Sequence, residues 1–143
     1  MSNEPPEARS AGPYAGDGGR DFASAIEPTS FEEFWPYYVS QHRDPTCRAL
    51  HFIGTTAAMG LVAVSPVVPP AIVAAPVVGY GLSWIGHLVF ERNRPASWHS
   101  AKHFWWSFRG DLRMWRFIAT RMMAAEVERV EDLYGLQAEA AGN

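Results

Sequence analysis

The sequence contains one cysteine, Cys47. This excludes an intramolecular disulfide and any zinc site built on Cys-x-x-Cys pairs, and it fits a reducing compartment. Basic residues are not in excess. The net charge is −3, whereas a nucleic-acid binder is usually basic, so no nucleic-acid partner is expected. No basic start leads into an apolar run at the beginning of the chain, which therefore does not read as a signal peptide. Nucleophile elbows, phosphate loops and dinucleotide fingerprints are missing as well, and no internal repeat is visible. The most informative absence is of charge. From Ala49 to Phe90, 42 consecutive residues include no Asp, Glu, Lys or Arg.

A length of 143 residues suggests one domain. Residues 1–30 are rich in Pro, Gly, Ala, Ser and Glu without apolar periodicity. They cannot bury enough surface to offset ordering and are expected to form a disordered tail. A helical membrane domain is expected over 31–137, with a frayed tail over 138–143. Thr29-Ser30-Phe31-Glu32-Glu33 has the form of a helix start, with Ser30 as N-cap and Glu33 three residues on. Phe34, Trp35, Tyr37 and Tyr38 follow. Aromatics this dense beside charges suit a helix at a membrane–water interface, or one packed on a soluble core. Asp44-Pro45 ends the run and starts the next helix as N-cap and first-turn proline.

The charge-free stretch is long enough for two crossings of about 20 residues each. Ser65-Pro66-Val67-Val68-Pro69-Pro70 separates them as an apolar turn. Gly54 and Gly60 are expected to let a neighbouring helix approach closely, while Pro76, Gly79 and Gly81 would kink or loosen the second helix. Two full spans, a re-entrant hairpin and a buried hairpin of a soluble protein all fit the pattern. Spans are favoured because so small a chain has little protein with which to cover both helices. Arg43 and Arg48 precede the apolar pair and Arg92, Arg94 and Lys102 follow it, which places both termini in the cytoplasm. Beyond Phe104 a helix mixing aromatics with Arg109, Asp111, Arg113 and Arg116 is expected to run on to near Tyr134. The fold class expected is all-α: a small helical membrane protein with an apolar hairpin flanked by aromatic interfacial helices.

Five histidines remain: His42, His51, His87, His99 and His103. Transition-metal catalysis commonly uses two or three imidazoles and leaves positions open for substrate and O2. His51 and His87 lie near the two ends of the charge-free stretch, which an antiparallel hairpin makes neighbours. An ionisable group at that depth points to function, although each imidazole alone could equally bond a backbone carbonyl or a tyrosine. On a regular helix, His87 and Glu91 share a face. His99 and His103 are spaced for a helical zinc pair but lack the glutamate of H-E-x-x-H, and are read as an interfacial cluster with His99 the more interesting member. Cys47 and His51 are one turn apart, yet Cys47 reads better as a small buried residue.

Three segments then stand out together. They are Tyr38-Val39-Ser40-Gln41-His42-Arg43-Asp44-Pro45, Leu50-His51-Phe52-Ile53-Gly54-Thr55, and Gly86-His87-Leu88-Val89-Phe90-Glu91-Arg92-Asn93-Arg94-Pro95. The set resembles a family of small membrane proteins that contains the fungal endoplasmic-reticulum 2-hydroxy fatty acid dioxygenase, over roughly residues 31–116. The resemblance implies an Fe(II)-dependent dioxygenase that uses O2 to shorten 2-hydroxy fatty acids by one carbon. It places His42, His51 and His87 as metal ligands, with Glu91 as ligand or orienting partner. We add Arg94 as a candidate carboxylate clamp. The apolar middle is shorter than in the fungal enzyme, as in compact bacterial-type members, which implies a bacterial inner membrane. The competing expectations are a non-catalytic membrane protein that binds lipid or a protein partner, and a histidine-metal enzyme of another kind. Oligomeric state is not readable.

Overall fold

The computed structural model of the protein describes residues 28–135, and within them every regular element is helical. The tails expected over most of 1–30 and over 138–143 lie outside the described residues. Helix α1 spans Phe31–Ser40, α2 Pro45–Val64 and α3 Ala71–Ile85. A π-helical turn, Gly86–Glu91, continues α3, and a 3₁₀ turn follows at Ala96–Trp98. Helices α4, Ala101–Ala119, and α5, Met123–Tyr134, complete the chain.

The helix starts follow local chemistry. Ser30 Oγ accepts the Glu33 N–H at 3.2 Å, while Glu33 Oε2 accepts from the Thr29 N–H and hydroxyl at 2.8 and 2.9 Å. The reciprocal cap therefore reaches one residue further back than a standard capping box. Asp44 Oδ1 accepts the N–H groups of Thr46 and Cys47 at 2.7 and 3.1 Å, with Pro45 in the first turn of α2. The helix expected to reach Tyr134 without interruption is in fact broken. Arg121 has φ 59° and the Met122 N–H returns to Phe117 O at 2.8 Å. This left-handed step ends α4 and redirects the chain into α5.

Helices α2 and α3 form the most extensive pairing, an antiparallel hairpin. Small residues make the approach possible. A Cβ on Gly54 would lie 3.1 Å from Gly79 O and 3.2 Å from Leu82 Cβ. Gly60, expected to serve the same purpose, has nothing within 4 Å, and α3 runs unbroken through Pro76. Both hairpin helices are long and apolar enough to cross a membrane, and only 22% of each apolar window is buried inside the protein. Their outer faces, including Ile53, Val73, Val77 and Val89, are uncovered.

The aromatics of α1 point inward. Phe34, Trp35, Tyr38 and Val39 pack with Met114 of α4 and Val130 of α5 into the main core. Trp35 Nε1 donates to Glu126 Oε1 at 2.6 Å, so the indole is buried with its polar atom satisfied. The opposite face of α4 leaves Phe104, Trp105, Phe108 and Leu112 exposed, and Trp84 and Trp98 are exposed as well. The molecule thus has an apolar hairpin and a cap of α1, α4 and α5, and the joint between them carries the histidines.

Candidate metal centre

Three separate pieces of chain deliver three imidazoles to one point. His42 follows the end of α1, His51 sits two turns into α2, and His87 is the second residue of the π-helical turn. All three are buried, and one ligand nitrogen from each lies within 4.8 Å of the others. Ring centroids are 4.6 Å apart for His42–His51, 4.5 Å for His42–His87 and 5.2 Å for His51–His87. The ring planes are inclined at 81°, 72° and 89°. Edge-to-face packing of this kind is common for rings in contact; what points to a metal is the convergence of one ligand nitrogen from each ring.

The other nitrogen of each ring is already committed. His42 Nδ1 donates to the Tyr38 carbonyl at 2.6 Å, and its ring lies 4.2 Å from that of Tyr38. His51 Nδ1 donates to Asp111 Oδ1 at 2.7 Å, the carboxylate oxygen accepting. His87 Nδ1 lies 2.8 Å from Asn93 Oδ1. The Asn93 amide cannot be reversed, because its Nδ2 donates to the Gln41 carbonyl at 3.1 Å. His87 must therefore donate as well. Three Nδ1–H tautomers leave three Nε2 lone pairs, and the Nε2 atoms of His42 and His51 are buried with no hydrogen-bond partner. Burial and the neighbouring imidazoles push the His42 pKa well below its usual value, which keeps the ring neutral, the form a metal requires. Buried polar atoms are seldom left unpaired. A nitrogen-rich donor set of this kind suits a borderline transition metal.

The local backbone explains how His87 reaches the cluster. Gly86 packs directly on Cys47 of α2, where a Cβ would meet Sγ at 2.9 Å. After it the i→i+5 winding widens the helix. Arg92, at φ 54°, ends the turn, and the His87 carbonyl receives the N–H groups of Arg92 and Asn93. That closure places the Asn93 side chain against the His87 ring. Glu91 does not belong to the group of residues that could hold an ion with the three histidines. Glu91 Oε1 instead accepts the Asp44 N–H at 2.6 Å, tying the turn to the start of α2. Arg48 completes this clasp, donating to the carbonyls of His42 and Arg43 at 2.8 and 2.6 Å.

Other candidates lie elsewhere. Arg94 is exposed. His99 donates to the Ala96 carbonyl at 3.1 Å, and His103 Nδ1 lies 2.8 Å from the hydroxyl of Ser100, the N-cap of α4. Those two histidines shape the beginning of α4. The residues that sequence reasoning passed over are Asn93 and Asp111. Asp111 also bonds the Thr55 hydroxyl, so it spans α2 and α4. One signal was available for it, since Ser107, Gly110, Asp111 and Met114 form a stripe at helical spacing in an otherwise aromatic helix.

A cavity of about 420 Å³ opens beside the cluster, with His51, His87, Thr55, Ser107 and Asp111 in its wall. Arg94 is not among the lining residues.

Fold and site together define an all-helical protein in which an apolar hairpin and an aromatic cap enclose three buried histidines that could hold a metal ion. The chain belongs to the family described as 2-hydroxy-palmitic acid dioxygenase Mpo1-like, whose model matches residues 28–123. No curated protein and no solved structure matches it.

Proposed function

We propose that this protein is a membrane-embedded, Fe(II)-dependent dioxygenase that shortens 2-hydroxy fatty acids by one carbon. The observation that carries this reading is the set of three converging imidazoles, each fixed through Nδ1, with the rings of His51 and His87 in the wall of an apolar cavity. His42, His51 and His87 hold the metal. Fe(II) held there would supply O2 activation and Lewis acidity toward the substrate head.

The remaining roles belong to the protein. Asp111, Asn93 and the Tyr38 carbonyl fix tautomer and ring orientation. Glu91 holds the π turn against the bend between α1 and α2, and so acts on His42 and His87 through the backbone. No Lys or Arg stands among the residues lining the cavity, and Arg94 is exposed. Ser107, whose buried hydroxyl has no partner, is available at the polar end to donate to the substrate head. The uncovered hairpin surface lies in the bilayer, and the exposed tryptophans and phenylalanines around the cap sit at its cytoplasmic face.

The test is anaerobic iron loading of purified protein, followed by addition of O2 and 2-hydroxypalmitate. Wild-type protein should bind one iron and yield the acid one carbon shorter. Replacing His42, His51 or His87 with Ala should abolish both. Turnover unaffected by these replacements would overturn the reading.

A further inference from the structure

The cavity beside the histidines extends far beyond what a carboxylate and hydroxyl need. Its wall follows one face of α2 from His51 through Thr55 and Ala58 to Val62. It returns along one face of α3 from Ile72 through Ala75 and Gly79 to Ser83 and His87. Eleven residues of helix separate His51 from Val62, a length of about 16 Å. A cavity of 420 Å³ drawn out over that length is long and narrow.

Polarity along this trough is strongly graded. Thr55, Ser83, Ser107 and Asp111 gather at the histidine end, whereas Met59, Val62, Ile72 and Ala75 line the other. Helix α4 covers the histidine end through Ser107, Phe108, Asp111 and Leu112. The distal end is uncovered, with Val62 49% and Ile72 50% exposed. The floor is made of small residues, Ala58, Ala75 and Gly79. A second helix does not fit here, because a helix with its side chains is about 10 Å across. One unbranched chain does.

We propose that this trough is an acyl-chain site that aligns one extended chain along the α2–α3 hairpin, with Ala58 and Ala75 setting its depth. The proposal rests on the reading of the histidine centre as the seat of the substrate head. A zigzag of ~1.5 Å bonds advances about 1.3 Å per carbon, so roughly a dozen carbons lie inside the trough. Because the distal end is open, longer chains continue into the surrounding lipid. The trough therefore selects for an unbranched, slender chain and sets no sharp upper limit on length. Its open side faces the same medium as the exposed hairpin, so the substrate slides in sideways from a leaflet without leaving it.

The experiment uses the iron-loaded full chain in lipid nanodiscs under anaerobic conditions. A series of 2-hydroxy fatty acids carries a small diazirine at successively greater distance from the carboxyl group, and labelled residues are mapped by peptide sequencing. Labels should move from around Thr55 and Ser83, through Ala58 and Ala75, to Val62 and Ile72 as the diazirine moves outward. Excess unlabelled 2-hydroxypalmitate should suppress them. Labels scattered over the hairpin's outer face, or indifferent to competitor, would overturn the proposal. As a second measurement, Ala58→Phe raises the trough floor, and it should lower the turnover of a sixteen-carbon acid relative to an eight-carbon acid by about tenfold or more. An unchanged ratio in a variant that retains its iron would also overturn it. If wild-type protein neither holds iron nor turns over any 2-hydroxy acid, the reading of the centre fails. An ordered labelling map would still establish the trough as a lipid-chain site.

Discussion

His51 Nδ1 and Asp111 Oδ1 are 2.7 Å apart across 60 residues of chain. This bond joins the hairpin to the cap at the candidate metal centre itself. The same carboxylate also takes the Thr55 hydroxyl one turn along α2. Helix α4 is therefore fastened where it covers the cavity, and the orientation of one ligand depends on a helix that supplies none.

Asp111→Asn preserves shape and removes the charge that orients and polarises His51. Metal affinity should fall by about 10- to 100-fold. Competition against a chromophoric ferrous chelator measures it, with helical content recorded alongside. Unaltered affinity in a folded variant would mean that the Asp–His bond does not act on the metal.

Chelation offers a separate check. If the three imidazoles bind a metal only in the folded protein, a concentration 100 times Kd adds about 2.7 kcal/mol of stability. Removing the metal should then lower Tm by roughly ten degrees, and resupplying it should restore the loss. In His87→Ala the metal should make no difference to Tm.

The contact between Gly86 and Cys47 predicts a coupled pair of substitutions. In Gly86→Ala the new methyl meets Cys47 Sγ at 2.9 Å and Cys47 Cα at 3.3 Å. The π turn must move, at a cost of about 1–3 kcal/mol. Cys47→Ala in the same chain removes the sulfur and should recover part of the loss. Purely additive effects in a double-mutant cycle would show that the two elements are not in register.

Acid should loosen the cap through Glu126. This carboxylate receives Arg129 Nε and Nη2 at 2.9 and 2.7 Å and Trp35 Nε1 at 2.6 Å. The Arg129 hydrogen bonds foremost hold its pKa below the usual 4.5. A carboxyl whose pKa is depressed by folding binds protons more readily in the unfolded chain. Its contribution to stability is thus complete above pH 4.5 and is lost as pH falls through the folded-state value. Stability measured against pH should decline over that range in wild type, and less steeply in Glu126→Gln. Equal slopes would remove Glu126 from the account.

The expected and observed structures part company at identifiable places. Ser30, Asp44 and Pro45 start helices where local chemistry says they should, because a cap is decided within four residues. The break at Arg121 carries no proline or glycine to announce it, and the chain turns there so that α5 can cover Trp35 and Val39. The π turn has no sequence signature either. A regular helix through Gly86–Glu91 is locally just as acceptable, and the wider winding follows from the contact of Gly86 with Cys47 and the return of Asn93 to His87.

Taken alone, the sequence determines that the protein is helical, that its middle is an apolar hairpin, and that His42, His51 and His87 belong to motifs at the hairpin's ends. Periodicity, charge-free length and capping are local properties, and they survive without knowledge of any contact. Tertiary structure decided what the histidines' second nitrogens bind, that Glu91 holds backbone at Asp44, and that Asp111 rather than Arg94 stands in the cavity wall. Those outcomes depend on hydrogen bonds between residues 4 to 60 positions apart, and the longest of them join distant pieces of chain. Only packing the cap on the hairpin brings such partners within reach.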